Sequence, residues 1–176
     1  MFRRKRPTSE QQFTRKIPSR VAFRQHPIHP MLVVFPIAFL ASVPAADLAF
    51  VLLHDVRWAQ LAFVLNIAGL ATGLLAAAFG LGDFLLVREI RNHISAWSHA
   101  VVAVMLLALA AAGVWLRWPD PIRAVWPWGL LLSSATGPVV AAAGWLGGTL
   151  SFRHGIGVYG EDHAPREAPP DGPAEG

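Results

Sequence analysis

Apolar and polar positions separate along this chain into four long apolar runs, joined by short polar links and flanked by polar tails. The first run, 31–53, is interrupted by Pro36, Pro44 and Asp47. The second, 59–81, holds Asn66 and no charge, and its apolar character continues past Asp83 to Val87. The third, 96–116, has His99 as its titratable group, and the fourth, 124–150, carries no charge. Each reaches the ~20 residues that a helix needs to cross ~30 Å of hydrocarbon. Alternating segments of ~10 residues, the mark of a membrane barrel, are absent. The pattern predicts an all-α protein with transmembrane helices at about 30–53, 59–87, 96–117 and 124–150. The links at 54–58, 88–95 and 117–123 are short, so neighbouring helices must run antiparallel in an up-down bundle.

This reading divides the chain into a basic, flexible or surface-lying tail at 1–25, a membrane domain at 26–160 and a disordered tail at 161–176. The last is rich in Pro, Glu, Asp, Ala and Gly. A secretory signal peptide is the rival reading of the N-terminus, but the apolar run continues to Leu53, long enough to span.

Composition supports the membrane assignment. Only 15% of the 176 residues are charged, against about 25% in soluble domains. Cysteine is absent, which excludes disulfides, thiolate metal sites and cysteine nucleophiles. The net charge of +4 does not point to nucleic acid, because eight of the fifteen Lys and Arg lie in the first 24 residues, beside a membrane span. Cytoplasmic topology and anionic lipid account for them better. Twelve of the fifteen fall on the side of the tails and the 88–95 link, and three (Arg57, Arg117, Arg123) on the other. Positive-inside then places both termini in the cytoplasm. Trp58, Trp115, Trp118, Trp126 and Trp128 gather at the outer boundary as an aromatic belt.

Small residues set the packing. Gly69 and Gly73 form a G-x-x-x-G step, followed by Ala77 and Gly80, and Gly137, Gly144, Gly147 and Gly148 line the fourth run. They are expected to let helices of one chain approach closely, with a face for a second copy or a partner subunit as the alternative. Pro36 and Pro44 are expected to kink the first helix.

Two sets of polar residues are candidates for chemistry. Asp47 and Asn66 reach similar depth in the first hairpin, with Ser133, Ser134 and Thr136 near, and an intramembrane carboxylate is a functional candidate by default. These neighbours offer amides and hydroxyls and no second charge, so a hydrogen-bonded Asp that glues helices is the plainer reading. The second set lies at the cytoplasmic face. His26-Pro27-Ile28-His29-Pro30 opens the first helix, and each His, preceding a Pro, is pushed to extended geometry. On a polyproline helix the two imidazoles would project to one side, about 9 Å apart. The topology brings Asp83, His99 and His154 to the same face. Asp83 sits near a helix C-terminus, against the negative end of the dipole, so it is expected to need a cationic or metal partner such as Arg88, Arg91, Arg153 or a protonated His. His93 reads as a loop residue, and His54 lies on the opposite side.

Three readings of His26, His29, Asp83, His99 and His154 remain open. They could simply suit the interface in a non-catalytic subunit or scaffold. They could hold a b-type heme or a divalent metal for electron transfer, with His29 and His99 as the best ligands. They could form a proton relay of a transport system. The motifs G-x-S-x-G, H-E-x-x-H and the Walker loop are absent, so no enzyme class is indicated.

The opening His26-Pro-Ile-His-Pro30-Met-Leu-Val-Val-Phe-Pro36-Ile, Asp47, Gly82-Asp83 and His99 carry a resemblance, as does the ending Gly144-Trp-Leu-Gly147-Gly148 with Phe152-Arg153-His154-Gly155-Ile-Gly157-Val. Over roughly residues 24–160 the chain resembles the bacterial membrane family called domain of unknown function 2231. The resemblance implies a four-helix membrane protein, similar in layout to small b-type cytochromes.

Overall fold

The computed structural model describes residues 17–158, and the tail expected at 161–176 lies outside them. Four helices are long and apolar enough to cross a membrane: Ile28–Leu53, Val56–Leu86, Ile94–Arg117 and Pro121–Arg153, named here the first to fourth spans. The first packs on the second and fourth, and the third packs on the same two. The first and third therefore face each other across the axis of a closed four-helix ring. The end of the bundle that carries residues 17–27 and 154–158 is called proximal, and the other distal.

Each local feature has a cause in the sequence. The first span breaks at Val33 into Ile28–Leu32 and Val34–Leu53. Pro36 thereby falls in a first helical turn, where its missing N–H costs nothing. His54 ends this span in left-handed geometry (φ 57°), and Asp55 caps the second through the amide of Arg57. A two-residue turn, Arg24-Gln25, has both φ positive (47° and 66°) and joins β1 (Ala22–Phe23) to β2 (His26–Pro27), the geometry favoured in tight hairpins.

The bundle interior holds small apolar residues with a few polar groups among them, and its outer surface is apolar. Large apolar side chains such as Val64, Leu85, Val104 and Leu131 are exposed around its rim, as a lipid-facing surface requires. The axis is filled by small residues, among them Ala46, Ala59, Ala62, Ala76, Ala110 and Ala143. Gly69 and Gly73 serve packing within the chain: a Cβ at Gly69 would lie 2.5 Å from Leu40 Cδ2, and at Gly73 2.9 Å from Leu107 Cδ2. Trp115, Trp118, Trp126 and Trp128 are exposed at the distal end.

The proximal end differs from expectation. Residues 17–25, read from sequence as part of a loose tail, are folded onto the bundle. The Ile17 N–H donates to the Gly155 carbonyl at 3.0 Å, and the Gly157 N–H donates to the Ile17 carbonyl at 2.9 Å. Gly155 and Gly157 have φ of 65° and 73°, which turns the chain back after the fourth span. Buried Ile17, Val87, Ile90 and Ala96 form a small apolar cluster beneath this strap.

Candidate functional site

The polar residues inside the bundle form two groups, one near each end, and each group joins the first span to the third across the axis. The distal group is built on Asp47 and Arg117, which are 0% and 1% exposed and pair at 2.5 Å. The Ser133 hydroxyl donates to the same carboxylate oxygen at 2.7 Å. Arg117 also donates to the carbonyls of Gly113 and Gly129. The Gly129 carbonyl faces the axis just after a kink near the start of the fourth span, where Trp126 leaves helical geometry (φ −109°, ψ 131°). Asn66 donates to the Ala110 carbonyl at 3.3 Å, and a Cβ on Gly113 would fall 2.5 Å from its amide nitrogen.

The expectation that Asp47 has no second charge nearby is therefore wrong. By sequence position Arg117 counts among the outer-side charges. It is the last residue of the third span, and its side chain folds back along the helix to reach Asp47. Nothing local in the sequence sets that direction, because a terminal Arg can equally snorkel outward. Asp47 Oδ1 and Arg117 Nε have no hydrogen-bond partner among the described residues, so the fork is half closed. A cavity of about 10 Å³ adjoins it, lined by Asn66, Arg117, Ser133 and Thr136 among others, a size that admits one water.

The proximal residues divide into three. His29 and His99 meet on the axis, with ring centroids 6.2 Å apart and planes at 80°. His29 Nδ1 lies 2.7 Å from the Ala76 carbonyl on the second span, and His99 Nδ1 lies 3.2 Å from the Ala143 carbonyl on the fourth. A carbonyl can only accept, so each Nδ1 carries a proton, and Nε2 is the ring nitrogen left to ligate in a neutral imidazole. Glycines seat both rings. A Cβ at Gly80 would come 2.8 Å from His29 Nδ1, and one at Gly147 3.3 Å from His99 Cε1.

Asp83 does not join the histidines, and its partners are neutral. Its carboxylate accepts from the Ser19 hydroxyl at 2.5 Å and from the N–H groups of Arg20 and Val21 at 2.7 and 2.9 Å. The expected cationic or metal partner is replaced by the strap, whose amide dipoles offset the unfavourable helix end. Asp83→Asn is expected to weaken this clasp by about 1.5–3 kcal/mol. Hydrogen exchange would then quicken at the amides of Arg20 and Val21 while the span interiors keep their protection. Unchanged exchange there would show that the clasp does not hold the strap.

His26 is exposed, with Nδ1 2.8 Å from its neighbour Arg24's carbonyl, and does not share a face with the inward-turned His29. The hairpin and an earlier helix start replace the expected polyproline geometry. His154 pairs with His93, ring centroids 4.6 Å apart, and its Nε2 lies 3.4 Å from Ser95 Oγ. His93, read as a loop residue, is the N-cap position of the third span. Among the described residues no three His, Cys, Asp or Glu converge on one metal position. The five proximal candidates share an end of the bundle without forming one cluster.

A family model described as "Predicted membrane protein (DUF2231)" matches residues 25–160. The chain belongs to this family. The match begins at the hairpin and runs through all four spans, so both axial groups lie within it. No curated protein and no solved structure matches the chain. With its four spans and apolar surface, this member of the DUF2231 family is a multi-pass membrane protein in contact with the lipid bilayer.

Proposed function

We propose that His29 and His99 would hold a b-type heme at the proximal end of the bundle. The observation that carries this reading is their pairing across the axis, with both Nδ1 atoms held by backbone carbonyls. That arrangement is how proteins fix the tautomer and orientation of ligating imidazoles. Two imidazoles that shared one metal would have centroids no more than about 6.4 Å apart, from metal–nitrogen bonds of about 2.1 Å and ring radii of about 1.1 Å. The observed 6.2 Å agrees. The donor set also favours heme over a divalent ion. Structural and catalytic zinc sites take three or four protein ligands, and no third donor converges among the described residues. A heme asks the protein for two. When bound it would supply a one-electron redox centre, and the protein's part is to orient both rings and exclude bulk water.

The test is the visible spectrum and iron content of the protein purified from heme-replete cells. A Soret band that shifts on reduction, with one iron per chain, is expected. A colourless, iron-free preparation that stays colourless after added hemin would overturn the reading in favour of a purely organising role.

Orientation belongs to the same proposal. The twelve-to-three distribution of Lys and Arg supports a bacterial inner-membrane protein with the proximal end in the cytoplasm, where basic residues of the N-terminal segment meet anionic lipid. A reporter fused at the C-terminus should be active in the cytoplasmic form. Activity in the periplasmic form would reverse the assignment.

A further inference from the structure

We infer that the small distal cavity is a binding site for a single water molecule, and that this water ties Asn66 of the second span to the Asp47–Arg117 pair. The hydrogen-bond inventory of the distal group carries the inference. Arg117 lines the cavity. Its Nη2 donates to Asp47 and to the Gly129 carbonyl, and its Nη1 donates to the Gly113 carbonyl. Its Nε–H has no partner among the described residues, although the side chain is 1% exposed. A charged donor taken out of water inside a membrane bundle is costly to leave unpaired, so it calls for an acceptor.

The other polar groups that line the cavity are acceptors. Ser133 and Thr136 each have one hydroxyl proton, and they use it on Asp47 Oδ2 and on the Leu132 carbonyl. Both oxygens keep a lone pair. Asn66 gives its amide to the Ala110 carbonyl, which leaves its side-chain oxygen to accept. One donor in want of an acceptor thus shares the cavity with three acceptors in want of a donor. Water matches that set. Its oxygen takes the Nε–H, and its two protons go to two of the three oxygens. The sum is three hydrogen bonds, the usual number for a buried water.

Size and charge exclude the rival occupants. A volume of about 10 Å³ holds one water and nothing larger. A cation would meet the guanidinium. An anion would meet the Asp47 carboxylate, and both hydroxyl protons are already in use.

The water has a consequence for the bundle. Arg117 already joins the third span to the first through Asp47 and to the fourth through the Gly129 carbonyl. Asn66 reaches the third span through the Ala110 carbonyl, apart from the charged pair. A water shared by Asn66 and Arg117 makes one polar network of all four spans.

The experiment is NMR of the full-length protein, carrying ¹⁵N-labelled arginine, in deuterated detergent. The Nε–H resonance of Arg117, identified by its loss in Arg117→Lys, is expected to show a dipolar cross-peak to water. Its opposite sign in the rotating frame separates a bound water from proton exchange. Thr136→Val removes one acceptor at nearly constant shape and should weaken the cross-peak. Asn66→Leu/Thr136→Val removes two, leaves the ion pair in place and should abolish it. A wild-type Nε–H that shows no dipolar contact with water would overturn the inference, as would a cross-peak unchanged in both variants.

Discussion

Arg117→Leu is expected to destabilise the bundle by about 3–5 kcal/mol, the cost of removing one member of a buried ion pair. The substitution leaves the Asp47 carboxylate, which is 0% exposed, with only the Ser133 hydroxyl beside it. It also strips the Gly129 carbonyl of its guanidinium donor, so three spans lose a shared contact. Asp47→Leu is expected to cost a similar amount by stranding the guanidinium. The double variant Asp47→Leu/Arg117→Leu should recover most of the loss, because a buried pair replaced by apolar residues of similar volume is often near neutral. Reversible unfolding in mixed detergent measures all four corners of the cycle. A single-variant loss under about 0.5 kcal/mol would mean that the pair is no stronger than an average polar contact between membrane helices, about 0.6 kcal/mol. This outcome would remove the distal group as a fastener of the bundle.

The second large effect falls on the proposed heme. His29→Ala and His99→Ala are each expected to remove the wild-type spectrum, through loss of the heme or a shifted, weakened Soret band of a heme left with one histidine. His54→Ala is the control: His54 ends the first span at the distal end, and its loss should leave the spectrum unchanged. Gly80→Ala is a finer probe. The added methyl would press on the His29 ring at 2.8 Å and turn it from Ala76. A shifted or weakened band, with the fold retained, is expected. A band left unchanged by both His29→Ala and His99→Ala would place the heme elsewhere and end this reading.

Most of the architecture was legible in the amino-acid order. Apolar runs of about twenty residues commit to membrane helices because unpaired backbone groups are intolerable in hydrocarbon, and short links force antiparallel neighbours. Pairing of residues across the bundle was less legible. Hydropathy reports whether a residue faces lipid or the interior only on average, and it carries no information on which interior residues meet. His29 and His99 stand out in the sequence because each sits near a helix start at one end. That their rings meet at 6.2 Å follows from the ring order of the spans, which puts the first and third opposite each other. His93 reads as a loop residue in the sequence, and a loop position offers no periodicity. Its contact with His154 depends on how the third span begins beside the end of the fourth.

Asp83 and Arg117 mark the same boundary. Sequence position correctly says that a carboxylate near a helix C-terminus needs compensation, since the dipole is local and follows from the helix alone. It cannot say that the compensation comes from the amides of Arg20 and Val21, more than sixty residues earlier, because that depends on the strap folding back over the proximal end. Arg117 ends an apolar run, where a long side chain can turn to water or inward with equal local ease. Asp47, Ser133 and the Gly129 carbonyl on the facing spans decide it, because a charge already inside the bundle makes the inward rotamer the cheaper one. The sequence alone thus determined the four membrane helices, their alternation and the small-residue interior, all of which follow from solvation and local geometry. Only the tertiary structure decided which polar groups are partners, because desolvated polar contacts are settled by what faces them across the bundle.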